Sequence, residues 1–398
     1  MPQTSGAFSW GIMLCKFSDQ PNNEPKTPQF FRDLVSSQAL GSLAGYWQTM
    51  SYGKIDMSKL DVYGWLTMPF ALDMAFRSLT RPQRTQKCID AVKAAFVGNA
   101  AVLDRIAANS GFLVVINEII DSGADGAGRI LLDPAAWNPT FIANEMGHVL
   151  GLDHSFDTSS VPWDAGSDGR PGAYGESLDI MSAQIFAGLP ASFQGPLGNT
   201  GPGLNAANRE KLAWLPEAKI LTLNQRVGGT VASLITLGAL DNLNVVEHLM
   251  VKITAEGVHN GSPVPPFTYL VEFRPQKGMD QGIGKDAVAI HIVRPGDVPR
   301  IIWRGTDTQC WAPTDRCVDL VRQVAIEVVG MVVDSSSATV SIRGGPTATA
   351  TLPLISVRKT LGRKFDVTKG LRAIHPEPPF RSDSVRERLL ANPPQLGP

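Results

Sequence analysis

The sequence has no stretch approaching the roughly 18 uncharged apolar residues that a membrane helix requires. The nearest run, residues 112–120, already contains Asn117 and Glu118, so no membrane span is expected. Net charge is also nearly absent: 36 basic against 37 acidic side chains leave −1. That balance gives no reason to expect nucleic acid or an anionic membrane as the partner. Met1 to Trp10 shows neither a basic n-region nor an apolar h-region, so no signal peptide is expected in this chain. Cysteine is scarce, at four in 398 residues. Cys310 and Cys317 flank a short loop that a disulfide can close, whereas Cys15 lies in an apolar, strand-like run. Four reduced thiols and one or two disulfides are both open readings.

What remains is 43% hydrophobic and 18% charged, the make-up of a soluble globular protein with sizeable cores. Residues 8–17 and 112–119 read as buried strands, and 52–69 alternates as a strand does. Residues 28–48 and 82–109 carry helical spacing, and residues 128–133 form a short candidate edge strand between glycines and Pro134. Asn138 and Pro139 then announce a helix, as N-cap and first helical residue. Ile142, Met146, Val149 and Leu150 supply its apolar face, and Gly151 stops it. Residues 158–203 read as a long structured loop and 204–214 as a further helix. From about residue 217, short β-branched runs recur: 221–223, 231–237, 249–253, 269–273, 287–293, 324–333 and 338–342. This spacing predicts an antiparallel β-sandwich. The expected division is a first domain over 5–216, a sandwich over 217–350 and a basic, Pro-rich tail over 351–398 with one helical run at 384–390. Leu212, Trp214 and Leu215 present apolar groups at the first boundary.

The chemistry lies in residues 144–154, Asn-Glu-Met-Gly-His-Val-Leu-Gly-Leu-Asp-His. Positions 144 and 148 are one helical turn apart and point the same way. His148 can therefore offer an imidazole nitrogen to a metal alongside the side chain of Asn144. Glu145 projects beside the pair, where it can take a proton from a water. Gly151 lets the chain turn so that His154 returns to the same point. Three protein ligands with an open fourth position make a catalytic zinc arrangement. Twenty-seven residues beyond His154 stands Met181, in Leu178-Asp179-Ile180-Met181-Ser182.

The segment resembles the extended metzincin zinc motif, H-E-x-x-H-x-x-G-x-x-H, at every fixed position except the first, and residues 178–182 resemble the family's Met-turn. Phe17-Ser18-Asp19, Ser51-Tyr52-Gly53-Lys54, Val62-Tyr63-Gly64-Trp65, Gly175, Leu212-Ala213-Trp214-Leu215 and Tyr269–Arg274 are similar to the secreted immune inhibitor A and gametolysin branch. The resemblance implies an α/β (α+β) metzincin catalytic domain. It would hold a twisted mixed sheet, two long helices, an active-site helix and a Met-turn, and the β-sandwich would follow it. It further implies a secreted zinc endopeptidase acting on protein or peptide substrates. Asn144, His148 and His154 would be metal ligands, Glu145 the general base, and Met181 the floor beneath the metal. The substrate would lie extended along residues 128–133.

Asn144 is the departure, since its amide oxygen is a neutral, weak donor for zinc. A natural variant that still binds metal, a pseudo-peptidase and an inactivating change all remain open. The pseudo-peptidase would bind protein or glycan without cleaving it. Competing readings stand for other residues as well. Glu145 can be a solvated helix carboxylate and Met181 plain core. Asp164, Asp168, Glu176 and Asp179 offer oxygens to calcium, although loop solvation is the commoner reason for such residues. His248, His259, His291 and His375 have no partner at ligand spacing and read as structural or exposed.

Overall fold

The computed structural model describes residues 3–36, 39–57, 59–159, 170–182, 191–305, 308–332, 334, 336–345 and 371–373. It is a mixed α/β architecture with several sheets and more strand than helix. Two compact units divide it. The first comprises Met1–His154, Ser177–Leu215 and Lys277–Gly284; the second comprises Ser155–Glu176, Pro216–Gln276 and Lys285–Pro398. Each unit thus takes one segment from the other's stretch of sequence. The tail expected over 351–398, with its helical run and His375, lies outside the described residues apart from Leu371–Ala373.

In the first unit a five-stranded sheet is built from β1 (Trp10–Lys16), β2 (Leu60–Thr67), β3 (Gly111–Ile116), β4 (Gly123–Ala124) and β5 (Arg129–Leu132). The spatial order is β2-β1-β3-β5-β4, all parallel except β4. Both faces are covered, which is why β1 and β3 read as continuous apolar runs. Trp10, Ile12, Leu14, Leu113, Val115, Ile130 and Leu132 enter one core. Met13, Cys15, Val114, Ile116 and Leu131 alternate into the other. Helices α1 (Pro28–Ser36) and α2 (Leu43–Met50) pack on the first face, and α3 (Arg81–Ala95) and α4 (Ala100–Ala108) on the second.

The long helix expected over 82–109 is two helices. Gly98 takes φ +97°, and the Asn99 side chain caps α4 by accepting from Val102 N at 3.3 Å. The expected edge strand is not the edge either. Ala124 and Gly123 pair with Ile130 and Leu131, so the two-residue β4 covers β5. Leu212 and Trp214 are core residues of this unit: Trp214 lies 5.9 Å from Trp47, and its indole N–H donates to Thr4 O at 2.6 Å. They are not spare apolar groups at a boundary.

The second unit carries two sheets that feed one core. The first sheet runs β7 (Ile220–Gln225), β9 (Met250–His259), β10 (Ser262–Arg274), β11 (Ala287–Val293), β12 (Arg300–Ile301) and β6 (Phe156–Asp157). In the second, β8 (Val231–Gly238), β15 (Ser337–Gly344), β14 (Val324–Met331) and β13 (Arg316–Asp319) are followed by residues 371–373. Val271, Ile290 and Phe273 from one sheet meet Leu237, Ile326 and Val340 from the other in a single cluster. The interior pairings are antiparallel as expected, but β7 with β9, β12 with β6 and β13 with residues 371–373 are parallel. All three exceptions join strands far apart in sequence, the condition parallel pairing requires.

All four cysteines are free and buried. Cys317 faces the core of the second unit, where burial pushes its thiol far up, and burial also raises Cys310.

Candidate functional site

The site grows from helix α5 (Pro139–Val149), on the sheet face that also holds α1 and α2. Asn138 caps it by accepting from Phe141 N at 3.0 Å, an interaction worth about 1 kcal/mol. Ile142 and Met146 point into the core. After Leu150 the chain reverses at Gly151, whose φ of +89° an L-residue adopts only with strain.

That reversal sets the first imidazole. The carbonyl of Leu152 lies 3.0 Å from His148 Nδ1. A proton on Nδ1 satisfies that carbonyl and leaves Nε2 as the ring's lone pair, the state in which histidine binds a metal. The His154 ring follows at 4.9 Å between centroids, inclined at 83° to that of His148. The two histidines six residues apart are therefore brought together.

The turn at residues 178–182 sits directly against α5. Asp179, fully buried, shapes it: Oδ1 accepts from Met181 N at 2.7 Å and Oδ2 from Asn205 N at 2.6 Å. Met181 is likewise buried, and a Cβ added at Gly147 would overlap its Sδ. A glycine in a helix interior costs about 1 kcal/mol relative to alanine and calls for a packing reason. Met181 supplies it.

Asn144 is turned to the same turn. Its Nδ2 donates to Ile180 O at 2.8 Å and to Ser182 O at 3.4 Å, with the residue 8% exposed. The amide nitrogen is thus spent on tying α5 to the turn, and Oδ1 is the atom left to face a ligand. Two imidazoles and one carboxamide oxygen are the donors available to a metal. Among the described residues no three His, Cys, Asp or Glu side chains gather as a metal site. The set fits zinc with one weak, neutral member.

Glu145 reaches the sheet edge, where its Oε2 accepts from Ala124 N at 2.6 Å. The carbonyl of Ala124 accepts from Arg81 Nη1 at 3.4 Å. Arg81 is held by Asp121 through Nε at 3.1 Å and Nη2 at 2.7 Å, and Arg84 adds a third donor at 3.1 Å. The hydrogen bond that Arg81 donates to Asp121, with the charges of Asp121, Glu145 and Asp125, pushes its guanidinium further up.

Of the remaining candidates, Asp164 and Asp168 lie outside the described residues. Glu176 and Asp179 belong to different compact units, and both carboxylates have protein partners. Glu176 lies 2.8 Å from His291 Nε2, with both side chains buried. His259 is exposed and His248 partly buried. Sequence reasoning missed Gly147, Arg81, Asp121 and Ala124. A glycine inside a helical pattern was the one available signal, because the others depend on the sheet edge.

No protein-family model matches the chain, and no curated protein matches it. Two solved structures share some of its course, both crystal forms of wild-type OgpA from Akkermansia muciniphila. One is 12% identical over 76% of this chain and 92% of that chain, and the other 11% identical over 75% and 92%; each has a TM-score of 0.30. At those values the likeness carries neither fold nor activity across.

Proposed function

We propose that the first unit is a metal-dependent endopeptidase of the metzincin type and that the two-sheet unit is a β-sandwich. The observation that carries the reading is the pairing of the His148 and His154 rings at 4.9 Å at the end of the helix that also carries Glu145. Met181 packs under the same helix at Gly147. His148 through Nε2, His154 and Asn144 through Oδ1 would hold zinc. A zinc ion so bound supplies Lewis-acid polarisation of the scissile carbonyl and lowers the pKa of water.

The chain's own residues do the rest. Glu145 accepts a proton from the attacking water and returns it to the leaving amide nitrogen. Leu152 O holds His148 in the ligating tautomer, and Asn144 Nδ2 fixes α5 against the turn that carries Met181. An extended substrate runs along the sheet edge at β4. The second reading, a pseudo-peptidase that binds without cleaving, is favoured by one observation: Asn144 already serves a structural tie.

The test is cleavage of casein by zinc-loaded full-length protein, with and without a chelator. The proposal expects hydrolysis that the chelator abolishes and that Glu145→Gln lowers by about 10²–10⁴-fold. Zinc-loaded protein that binds casein but never cleaves it would leave the pseudo-peptidase as the reading.

A further inference from the structure

The outward edge of β4 is closed by the chain itself. Asp125 N donates to Arg129 O at 2.9 Å, which makes that pair hydrogen-bonded across the hairpin. Residues in an antiparallel ladder alternate, so Ala124, opposite Ile130, turns its N–H and C=O away from β5. This is the pair of backbone groups that an added strand engages. Both are taken: the N–H by Glu145 Oε2 at 2.6 Å and the C=O by Arg81 Nη1 at 3.4 Å. Gly123 belongs to the arrangement, since a Cβ there would overlap the Arg81 guanidinium.

We infer that Arg81 and Glu145 latch the sheet edge at Ala124, and that an extended polypeptide docking there replaces both hydrogen bonds and so releases Glu145 Oε2. This rests on the proposal that Glu145 is the proton acceptor. A substrate carbonyl takes the Ala124 N–H from Glu145, and a substrate N–H takes the Ala124 carbonyl from Arg81. Arg81 gives up only its long contact, because its two bonds to Asp121 remain. Ser122 Oγ accepts from Asp133 N at 2.8 Å and Asp133 Oδ2 from Ile120 N at 2.9 Å, so the segment stays anchored while the latch opens. Strand recognition and freeing of the base become one event. Compact, folded regions, which cannot offer an extended edge, leave the base engaged.

The test reads binding, so that it does not depend on turnover. Fluorescein-labelled oxidised insulin B chain is titrated into metal-free full-length protein by anisotropy, and the Ala124 amide resonance is followed in the wild type. Arg81→Met, which removes one latch, is expected to tighten binding about threefold, the worth of one long, half-exposed hydrogen bond. Arg84→Met removes a similar charge that touches Asp121 but not Ala124, and it should leave affinity unchanged. The Ala124 resonance should shift on binding. Unchanged or weaker binding by Arg81→Met, equal tightening by Arg84→Met, an unmoved Ala124 resonance, or no binding by any form overturns the latch. Failure of the zinc-loaded wild type to cleave the bound peptide overturns the peptidase reading instead, and the binding data still judge the latch.

Discussion

Replacing Gly147 with alanine sets two effects of opposite sign against each other. On an unconstrained helix the change gains about 0.8–1 kcal/mol of intrinsic propensity. Here the new Cβ would overlap Met181 Sδ and lie 3.0 Å from its Cε and 3.6 Å from Leu152 Cδ1, with both neighbours buried. Forcing a methyl into a packed core costs about 1–3 kcal/mol. The overlap falls on the middle of the methionine side chain rather than its free end, so the upper part of that range applies. The net loss is then about 1–2 kcal/mol, which lowers the apparent Tm by about 2–8 °C in a unit of this size. Met181→Ala alone should cost about 2–5 kcal/mol through its cavity. Together the two changes should cost about 2–3 kcal/mol less than their sum, because the truncated side chain makes room for the new Cβ and relieves the whole overlap. Calorimetry on the full chain and the three variants measures all of these quantities. A rise in Tm for Gly147→Ala, or additivity of the pair, refutes the packing of Met181 beneath the helix.

Asn144→Ala should lower both zinc content and melting temperature, since Ile180 O loses its donor at a cost of about 1–3 kcal/mol. Asn144→His should raise zinc content by supplying a stronger donor, as elemental analysis would show. A chain ending after residue 216 should melt below the full chain even for its first unit. It lacks Met279, a core residue, and Asp280, whose Oδ1 accepts from Gly203 N at 2.8 Å; equal melting temperatures would contradict this. The four thiols should resist Ellman's reagent in native protein and all react in guanidinium, because every one is buried and none is bridged.

The site helix was legible because its signals are local. Asn138, Pro139 and Gly151 punctuate it, and residues 144, 145, 148 and 154 follow from helical spacing and one turn. The strands of the sheets were legible where both faces are apolar, as in residues 112–116 and 287–293. Residues 123–124 and 156–157 were not, because strands of two residues carry no periodicity. The break at Gly98-Asn99 was written in the sequence as a glycine followed by a capping residue, and a continuous apolar stripe on either side masked it. The contacts of Glu145 with Ala124, and of Asn144 with the turn at 180–182, join residues 21 and 36 apart. Pattern reading has no means of pairing positions at that distance, so the structural duty of Asn144 emerges only in the fold.

On the proposed function, His148, His154 and Asn144 hold one zinc ion on the helix and turn that also carry Glu145. Zinc bound per chain after exhaustive dialysis, compared between wild type and His148→Ala, tests it most directly. The wild type should retain close to one equivalent and the variant almost none, with the fold of both intact by circular dichroism. Equal zinc in the two proteins, or none in the wild type after loading, would contradict it.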